Sequence, residues 1–348
     1  MLNTKVVILN WNGEEWLTRF LPRVVATLPD WASLVVADNG SEDSSEKVVS
    51  RFDGIEWLPL GKNYGFAEGY NRALADMEGD VFVLLNSDVE PTEGWLTPLV
   101  ERLMESDKIA AVQPKILSYS EPTKFEYAGA AGGYIDRYGY PFCRGRIMGT
   151  TEQDMGQYDT SIPIFWASGA CMAVRAEAWR KAGGLDGDFF AHMEEIDLCW
   201  RLQLMGYKIF AEPHSVVYHV GGGTLPNNSP RKIYLNFRNS LCMMHKCLPD
   251  GERWRLRARM WMDRLSWVVY ALTGKWKFAR EVYRAHRDYK RMRPNLDQQR
   301  TIISKTSSTS TIDTIYPKWV IWQHIIYRKK GEELYGFLYK TSPITNQP

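Results

Sequence analysis

Residues 81–85 are five consecutive apolar side chains, Val-Phe-Val-Leu-Leu, that run directly into Asn86-Ser87-Asp88-Val89-Glu90. An apolar run of that length without polar alternation reads as a strand buried on both faces, the kind found in sheets covered by helices on either side. The Asp88 carboxylate then falls just past the strand's C-terminal end, the edge where open α/β sheets bind ligands. Asp and Asn oxygens are hard ligands suited to Mg²⁺ or Mn²⁺, and such ions commonly carry substrate phosphates. The plainer alternative is a capped turn before Pro91 and Gly94, where Asn, Ser and Asp are also frequent.

The preceding chain repeats the pattern. Residues 5–9 form an apolar run halted by Asn10-Trp11-Asn12-Gly13, and residues 14–28 carry Trp16, Leu17, Phe20, Leu21, Val24 and Val25 at helical spacing. Residues 34–37 are a second buried run, followed by Asp38-Asn39-Gly40-Ser41, with Ser41 or Asp43 able to cap a helix through Val49. Residues 55–60 read as a third strand, and Gly61-Lys62-Asn63-Tyr64-Gly65 as a turn entering a helix. Strand alternating with helix predicts a mostly parallel α/β sheet with helices on both faces, Rossmann-like in plan. Asn10, Asp38, Asn39, Asn86 and Asp88 would then share one edge and converge on a polar ligand. Gly65 and Gly69 do not make a dinucleotide fingerprint, since Gly-x-Gly-x-x-Gly is absent.

The chain has 348 residues, 45% of them apolar and 24% charged, with a formal net charge of +2, so bulk charge gives no reason to expect nucleic acid. The 14 Trp and 18 Tyr suit carbohydrate or interfacial contacts. Five cysteines without a Cys-x-x-Cys pair suggest a reduced, cytoplasmic compartment. Neither a signal peptide nor an apolar run of membrane-spanning length is expected.

Further along, residues 94–106 read as a helix and 109–114 as a strand, followed by a Gly- and Tyr-rich excursion over 118–163 with room for a hairpin. The core resumes over 165–174, and a short helix over 175–182 ends at Gly183-Gly184. Phe189-Phe190-Ala191-His192-Met193-Glu194-Glu195-Ile196-Asp197 then opens a helix with Glu194 and Glu195 in its first turn and Asp197 spaced to pair with Arg201. The two acids either cap this helix or face a cleft. Residues 206–210 and 216–218 read as two more strands, the second ending at His219-Val220-Gly221-Gly222-Gly223-Thr224.

Taken in order, these strings resemble the family 2 glycosyltransferases of the GT-A fold, and most the bacterial rhamnosyltransferase-like branch. The resemblance rests on Val-Val-Ile-Leu-Asn-Trp-Asn-Gly near the start, Asp38-Asn39-Gly40-Ser41, the stretch from Asn63 to Asn71, Leu85-Asn86-Ser87-Asp88, Glu194-Glu195-Ile196-Asp197-Leu198, and His219 before three glycines, and it covers residues 5–239. It implies that Asn10, Asp38 and Asn39 contact the donor nucleotide, and that the loop carrying Asn63, Gly69 and Asn71 lies beneath the donor. Asn86-Ser87-Asp88 matches the Asp-x-Asp metal motif with Asn86 in place of its first acid, so Asp88 and His219 would hold Mg²⁺ or Mn²⁺. Glu195 stands where the family has the general base, with Glu194 beside it, and Trp166 and Ser168 fall on the acceptor side. The implied reaction is inverting, metal-dependent transfer of a hexosyl or rhamnosyl group from a nucleoside-diphosphate sugar to a glycan or lipid-linked acceptor in bacterial surface polysaccharide assembly. A second reading is a non-catalytic sugar-nucleotide-binding subunit acting through its C-terminal helices.

Past a boundary expected at 240/241 the character changes. Residues 248–293 are densely basic and interleaved with Trp254, Trp261, Trp267 and Trp276. Trp261, Leu265, Val268, Val269 and Leu272 would lie on one helix face, suited either to a membrane surface on the cytoplasmic side or to packing on the catalytic domain. Residues 301–314 read as a linker, and residues 315–339 as another amphipathic segment bearing Arg328-Lys329-Lys330. No Gln-x-x-Arg-Trp motif occurs, which disfavours a processive polysaccharide synthase.

Overall fold

A computed structural model describes residues 1–221, 229–327 and 332–336. Gly222, Gly223 and Thr224 of the expected glycine run, and the basic Arg328-Lys329-Lys330, lie outside the described residues. The N-terminal half alternates as the apolar runs require: β1 (Thr4–Asn10), α1 (Glu14–Ala26), β2 (Ala32–Asp38), α2 (Ser45–Val49), β3 (Ile55–Pro59), α3 (Gly65–Leu74), β4 (Val81–Asn86), β5 (Val89–Pro91) and α4 (Leu96–Met104). Asp43 starts α2 from one residue before its cap, accepting Ser45 N–H at 3.0 Å and Glu14 N–H at 2.9 Å.

The apolar run of β4 is buried on both sides. Phe82 and Leu84 face one core with Val7, Tyr70 and Met172, while Val81, Val83 and Leu85 face the other with Leu17, Leu21, Leu99 and Val100. Each such side chain contributes roughly 1.5–3 kcal/mol by leaving water. The second core is closed by α1 and α4, the first by α3 and by helices from later in the chain, which gives the expected helices on both faces.

The second half consists of β6 (Ile109–Ser118), the short strands β7 (Gly133–Asp136), β8 (Pro141–Cys143), β9 (Arg146–Ile147), β10 (Thr150–Thr151) and β11 (Ile162–Ile164), then β12 (Cys171–Arg175), α5 (Ala176–Ala182), α6 (Glu194–Leu204) and β13 (Lys208–His219). The main sheet runs β11-β13-β6-β12-β4-β1-β2-β3, with β5 on β13. Parallel pairing joins β4, β1, β2 and β3, and also β13 to β6. β12 enters antiparallel between β4 and β6, and β5 and β11 pair antiparallel with β13. The sheet is therefore mixed rather than mostly parallel. The strands expected over 206–210 and 216–218 are one strand, β13, which begins at Lys208 and whose pairing with β6 shifts register between Glu212 and Val216. A bulge of this kind lets one strand change direction without leaving the sheet.

The 118–163 excursion is more ordered than its composition predicts. β10-β9-β8-β7 form a small sheet that β14 (Ile315–Tyr316) completes from the far end of the chain. The buried Asp136 carboxylate accepts N–H groups from Tyr138, Tyr140 and Val320 at 2.8–3.0 Å, fastening this sheet to the C-terminal segment.

The remaining helices are α7 (Pro230–Cys247), α8 (Arg253–Leu272), α9 (Trp276–Thr306), α10 (Val320–Ile325) and α11 (Glu332–Tyr335). The boundary expected at 240/241 falls inside α7. Residues 301–306 of the expected linker are the last turns of α9, and Thr314 donates to Gln203 Oε1 of α6 at 2.8 Å. All five cysteines are buried. Among the described residues no helix is long and apolar enough to cross a membrane.

Candidate active site

Parallel register sets the first part of the site. Asn10 pairs with Asp38 across β1 and β2, and Leu9 with Asn86 across β1 and β4, so the polar ends of three strands lie side by side. The buried Asn10 amide donates to Asp38 Oδ1 at 3.3 Å and Ser41 Oγ at 3.1 Å, and Asp38 Oδ2 accepts Ser41 N–H at 3.0 Å. Asn10 Oδ1 is buried without a partner. Asn39 reaches across to the next loop: its Oδ1 accepts Tyr64 N–H at 3.0 Å, and its Nδ2 donates to Gly65 O at 3.0 Å and Asn63 Oδ1 at 3.3 Å. Gly69 lets α3 close on the end of β1, where a Cβ would stand 2.8 Å from the Leu9 side chain. Ser87 is half-buried beside Asp88 and borders Gly13 together with Asn10.

Asn71 has a different part. Its amide exchanges two 2.8 Å hydrogen bonds with the backbone of Leu185, so it holds the turn after α5 against α3 instead of offering its amide to a donor.

Antiparallel pairing of β5 with the end of β13 places His219 opposite Val89 and so beside Asp88, from which it is 131 residues distant in sequence. His219 Nε2 lies 3.2 Å from Asp88 Oδ1, and its Nδ1 lies 3.3 Å from Glu126 Oε2. Burial opposes charge on this imidazole, but Asp88 and then Glu126 outweigh it and the ring is pushed up to about 10. Burial also works against the Asp88 carboxylate, yet His219 holds it below its ordinary range. Glu126 can approach so closely because residue 221 is glycine. Its φ is +73°, and a Cβ there would lie 2.6 Å from Glu126 Oε1.

This arrangement fits a divalent cation. With both ring nitrogens protonated, Nε2–H points at Asp88 and Nδ1–H at Glu126; a cation would replace the Nε2 proton between the same two atoms, 3.2 Å apart, while Glu126 keeps the Nδ1 proton. Adjacent ligands on a cation with bonds of about 2.1 Å stand roughly 3 Å apart. Asn86 Nδ2 is 3.5 Å from the same Nε2, and an amide rotated by half a turn would present its oxygen there. Among the described residues no three His, Cys, Asp or Glu groups enclose a metal by themselves. Two protein ligands with the remainder from substrate phosphates is a common pattern for Mg²⁺.

The acidic pair at the start of α6 is the third part. Three non-glycine residues just before it, Phe190, His192 and Met193, have φ of +66°, +69° and +75°. Such conformations cost of order 1–3 kcal/mol each and persist only where surrounding contacts enforce them. The fully buried Asn239 of α7 supplies those contacts, donating to the carbonyls of Phe189, Ala191 and His192 at 2.7–3.1 Å. On the other side Phe190 O accepts Phe66 N–H at 2.7 Å. The His192 ring is pushed down to about 4 by burial and then by Lys232, and stays neutral.

The turn delivers Glu194 and Glu195 into a site where each has a shielded Oε2 without a partner. Burial, then Glu195, pushes the Glu194 carboxyl well above its ordinary value, and burial pushes Glu195 up to about 7. Asp197, by contrast, is held low against burial by Lys246 and Arg201, at 2.9 and 2.8 Å, the second being the pair its spacing predicts. A Cβ at Gly169 would stand 3.9 Å from that of Glu195, and the next residue, Ala170, accepts the Asn86 N–H at 2.9 Å. The base candidate and the Asn86-Ser87-Asp88 edge are thus joined through two consecutive residues.

Trp166 and Ser168, expected on the acceptor side, are both buried with their polar atoms used inward. Trp166 Nε1 donates to Tyr134 O at 3.0 Å, and Ser168 Oγ donates to Ala128 O. They form the wall behind the loop carrying Glu126. Sequence reasoning missed Glu126 and Asn239. Glu126 sits in the Gly- and Tyr-rich excursion with no motif around it, and the one signal was indirect: a glycine two residues after His219 leaves space for something to reach the ring.

The sequence pattern described as Glycosyl transferase family 2 matches residues 5–179. The chain is 28% identical over 233 residues to the N-acetylglucosaminyl-diphospho-decaprenol L-rhamnosyltransferase of Mycobacterium tuberculosis, covering 62% of this chain and 75% of that protein. The fold is similar to S. aureus TarS 1-349, with a TM-score of 0.55 at 12% identity over 87% of this chain and 88% of that one. It is also similar to GalNAc-T7 solved with UDP, GalNAc and Mn²⁺, with a TM-score of 0.57 at 18% identity, covering 73% of this chain and about half, 49%, of that one.

Proposed function

Because this chain belongs to glycosyl transferase family 2, we propose that it catalyses inverting transfer of a hexosyl or rhamnosyl group from a nucleoside-diphosphate sugar to a hydroxyl of a lipid-linked or glycan acceptor in bacterial surface polysaccharide assembly, at the cytoplasmic face of the membrane. The rhamnosyltransferase relative supports this acceptor class, and the nucleotide- and Mn²⁺-bound neighbour supports the donor and the metal. The single observation that carries the reading is Glu195, a carboxyl whose shielded Oε2 has no partner, pushed up to about 7 by burial, on a strained and doubly braced turn. A group of that kind serves no structural purpose that glutamine would not serve better, which disfavours a non-catalytic sugar-nucleotide-binding subunit.

In this mechanism Asn10, Asp38, Asn39 and Asn63 form the polar edge that receives the nucleotide. Asp88 and His219, the latter aimed by Glu126, would hold Mg²⁺ or Mn²⁺. Such an ion, when bound, supplies Lewis-acid neutralisation of the departing diphosphate. Glu195 accepts the proton of the acceptor hydroxyl as its oxygen bonds to the anomeric carbon from the face opposite the leaving group. The anomeric C–O bond to the diphosphate breaks with its electron pair on the diphosphate oxygen. Burial matches Glu195 to this task, because a base near the operating pH captures a proton most effectively in the transition state. Glu195→Gln tests the assignment: donor binding by calorimetry is retained while kcat falls roughly 10²–10⁴-fold. Full turnover by this variant would remove Glu195 from the role.

A further inference from the structure

The α8–α9 hairpin leaves the body of the protein partway along α8. The buried residues of that helix are Leu256, Arg259 and Asp263. Arg259 donates to the carbonyls of Tyr138 and Gly139 at 3.1 Å and pairs with Asp263 at 2.8 Å, and Asp263 also meets His286 at 3.2 Å. From residue 264 to residue 278 no side chain is buried, and burial resumes only at Ala279.

This projecting tip is covered with large apolar groups. Trp261, Leu265, Val269, Leu272 and Trp276 are all exposed, with Trp261 at 66%, Leu272 at 83% and Trp276 at 64%. Positions 261, 265, 268 and 272 follow one another by four, three and four residues, a single stripe along the helix. Contiguous exposed apolar surface of this kind marks an interaction site. The charge around it has one sign. Arg257, Arg264, Lys275, Lys277 and Arg280 are exposed, while the one acid between residues 253 and 280, Asp263, is buried on Arg259. The Arg264 guanidinium lies over the Trp261 ring at 4.3 Å, so cation and aromatic share one surface.

We infer that the tip of the α8–α9 hairpin is an interfacial anchor for an anionic lipid surface. Tryptophan, leucine and valine side chains enter the boundary between headgroups and acyl chains, and the surrounding cations meet the lipid phosphates. A second copy of the chain fits worse, because face-to-face pairing would set this cationic ring against itself. The anchor's purpose rests on the reading of a membrane-borne acceptor; its physical basis does not.

The test is flotation of the full-length protein with vesicles of phosphatidylcholine alone and of phosphatidylcholine with phosphatidylglycerol. The protein is expected to float with the anionic vesicles and to be released by high salt. Two variants separate the contributions: one with Trp261, Leu265, Val269, Leu272 and Trp276 changed to Ser, the other with Arg264, Lys275 and Lys277 changed to Glu. Each is expected to lower partitioning at least roughly tenfold while unfolding at the same temperature as the wild type. Wild-type protein that stays unbound, a serine variant that binds like wild type, or a dimer that the serine changes convert to monomer would each overturn the proposal. Turnover of a water-soluble acceptor by both variants, assayed in parallel, keeps failure of the anchor distinct from failure of the glycosyl-transfer reading.

Discussion

At the scale of single residues, the chemistry reduces to how a few ionisable groups are shielded and faced. Burial pushes the Glu195 carboxyl up to about 7 in the folded protein, against an ordinary 4.5. A base must be unprotonated, so kcat/KM should rise with pH through about 7 along a single-proton slope; a flat profile between pH 5 and pH 8, assayed with about saturating metal, would contradict this. The same shift costs stability. The folded carboxyl binds its proton more tightly than the unfolded one, so the cost is absent below 4.5 and complete above about 7, and Glu195→Gln should raise Tm by several degrees at pH 8, roughly in line with other active-site exchanges. Glu126 acts at one remove, through the imidazole it faces. Glu126→Gln should weaken Mn²⁺ activation about 10–100-fold with little change in Tm, read from the metal concentration at half-maximal rate. Asn10, Asp38, Asp88 and Glu195 stand out in the sequence because each follows an apolar run or opens a helix. Glu126 does not, because its role depends on a contact with a side chain 93 positions further along.

At the scale of elements, the decisive unit is the turn from Phe189 to Met193 with the helix it launches. Its three positive-φ residues are held from α7 by Asn239 and from α3 by the Phe66 amide. Asn239→Ala removes the donor shared by three carbonyls, of which that of Phe189 is buried, and should cost about 1–3 kcal/mol in urea unfolding. Because the turn aims Glu195, the same variant should lose kcat more than donor affinity; equal loss in both would make Asn239 a purely structural residue. The apolar periodicity of α1, α3 and α4, and the runs of β1, β2 and β4, carry their own identity, since burial on one or both faces writes itself into composition. β13 reads as two strands because Pro213 and His214 interrupt its pattern, and only pairing with β6 on both sides of the bulge makes it one.

At the scale of the whole molecule, this glycosyltransferase has no clean seam between a catalytic domain and a helical appendage. Lys246, on the far side of the expected boundary, pairs with Asp197 and Asp186 under the acidic helix. His245 meets Tyr289 at 2.9 Å and Asp297 at 2.8 Å, tying α7 to α9. A chain ended at residue 240 would cut α7 and strip the cover from α6, so it should be insoluble or lack near-ultraviolet circular dichroism; a soluble, cooperatively unfolding fragment would show instead that the first part folds alone. The sequence by itself determined the strand and helix alternation, the polar edge of the parallel strands, the family and the acidic pair, because these are local properties: hydrophobic period, strand ends and short strings in order. Only the tertiary structure decided that β12 turns the sheet mixed, that Glu126 orients His219, that Trp166 and Ser168 face inward, that Asn239 braces the strained turn, and that the apolar stripe of α8 is left uncovered. Each of these depends on which distant segment packs where, and no local pattern encodes that.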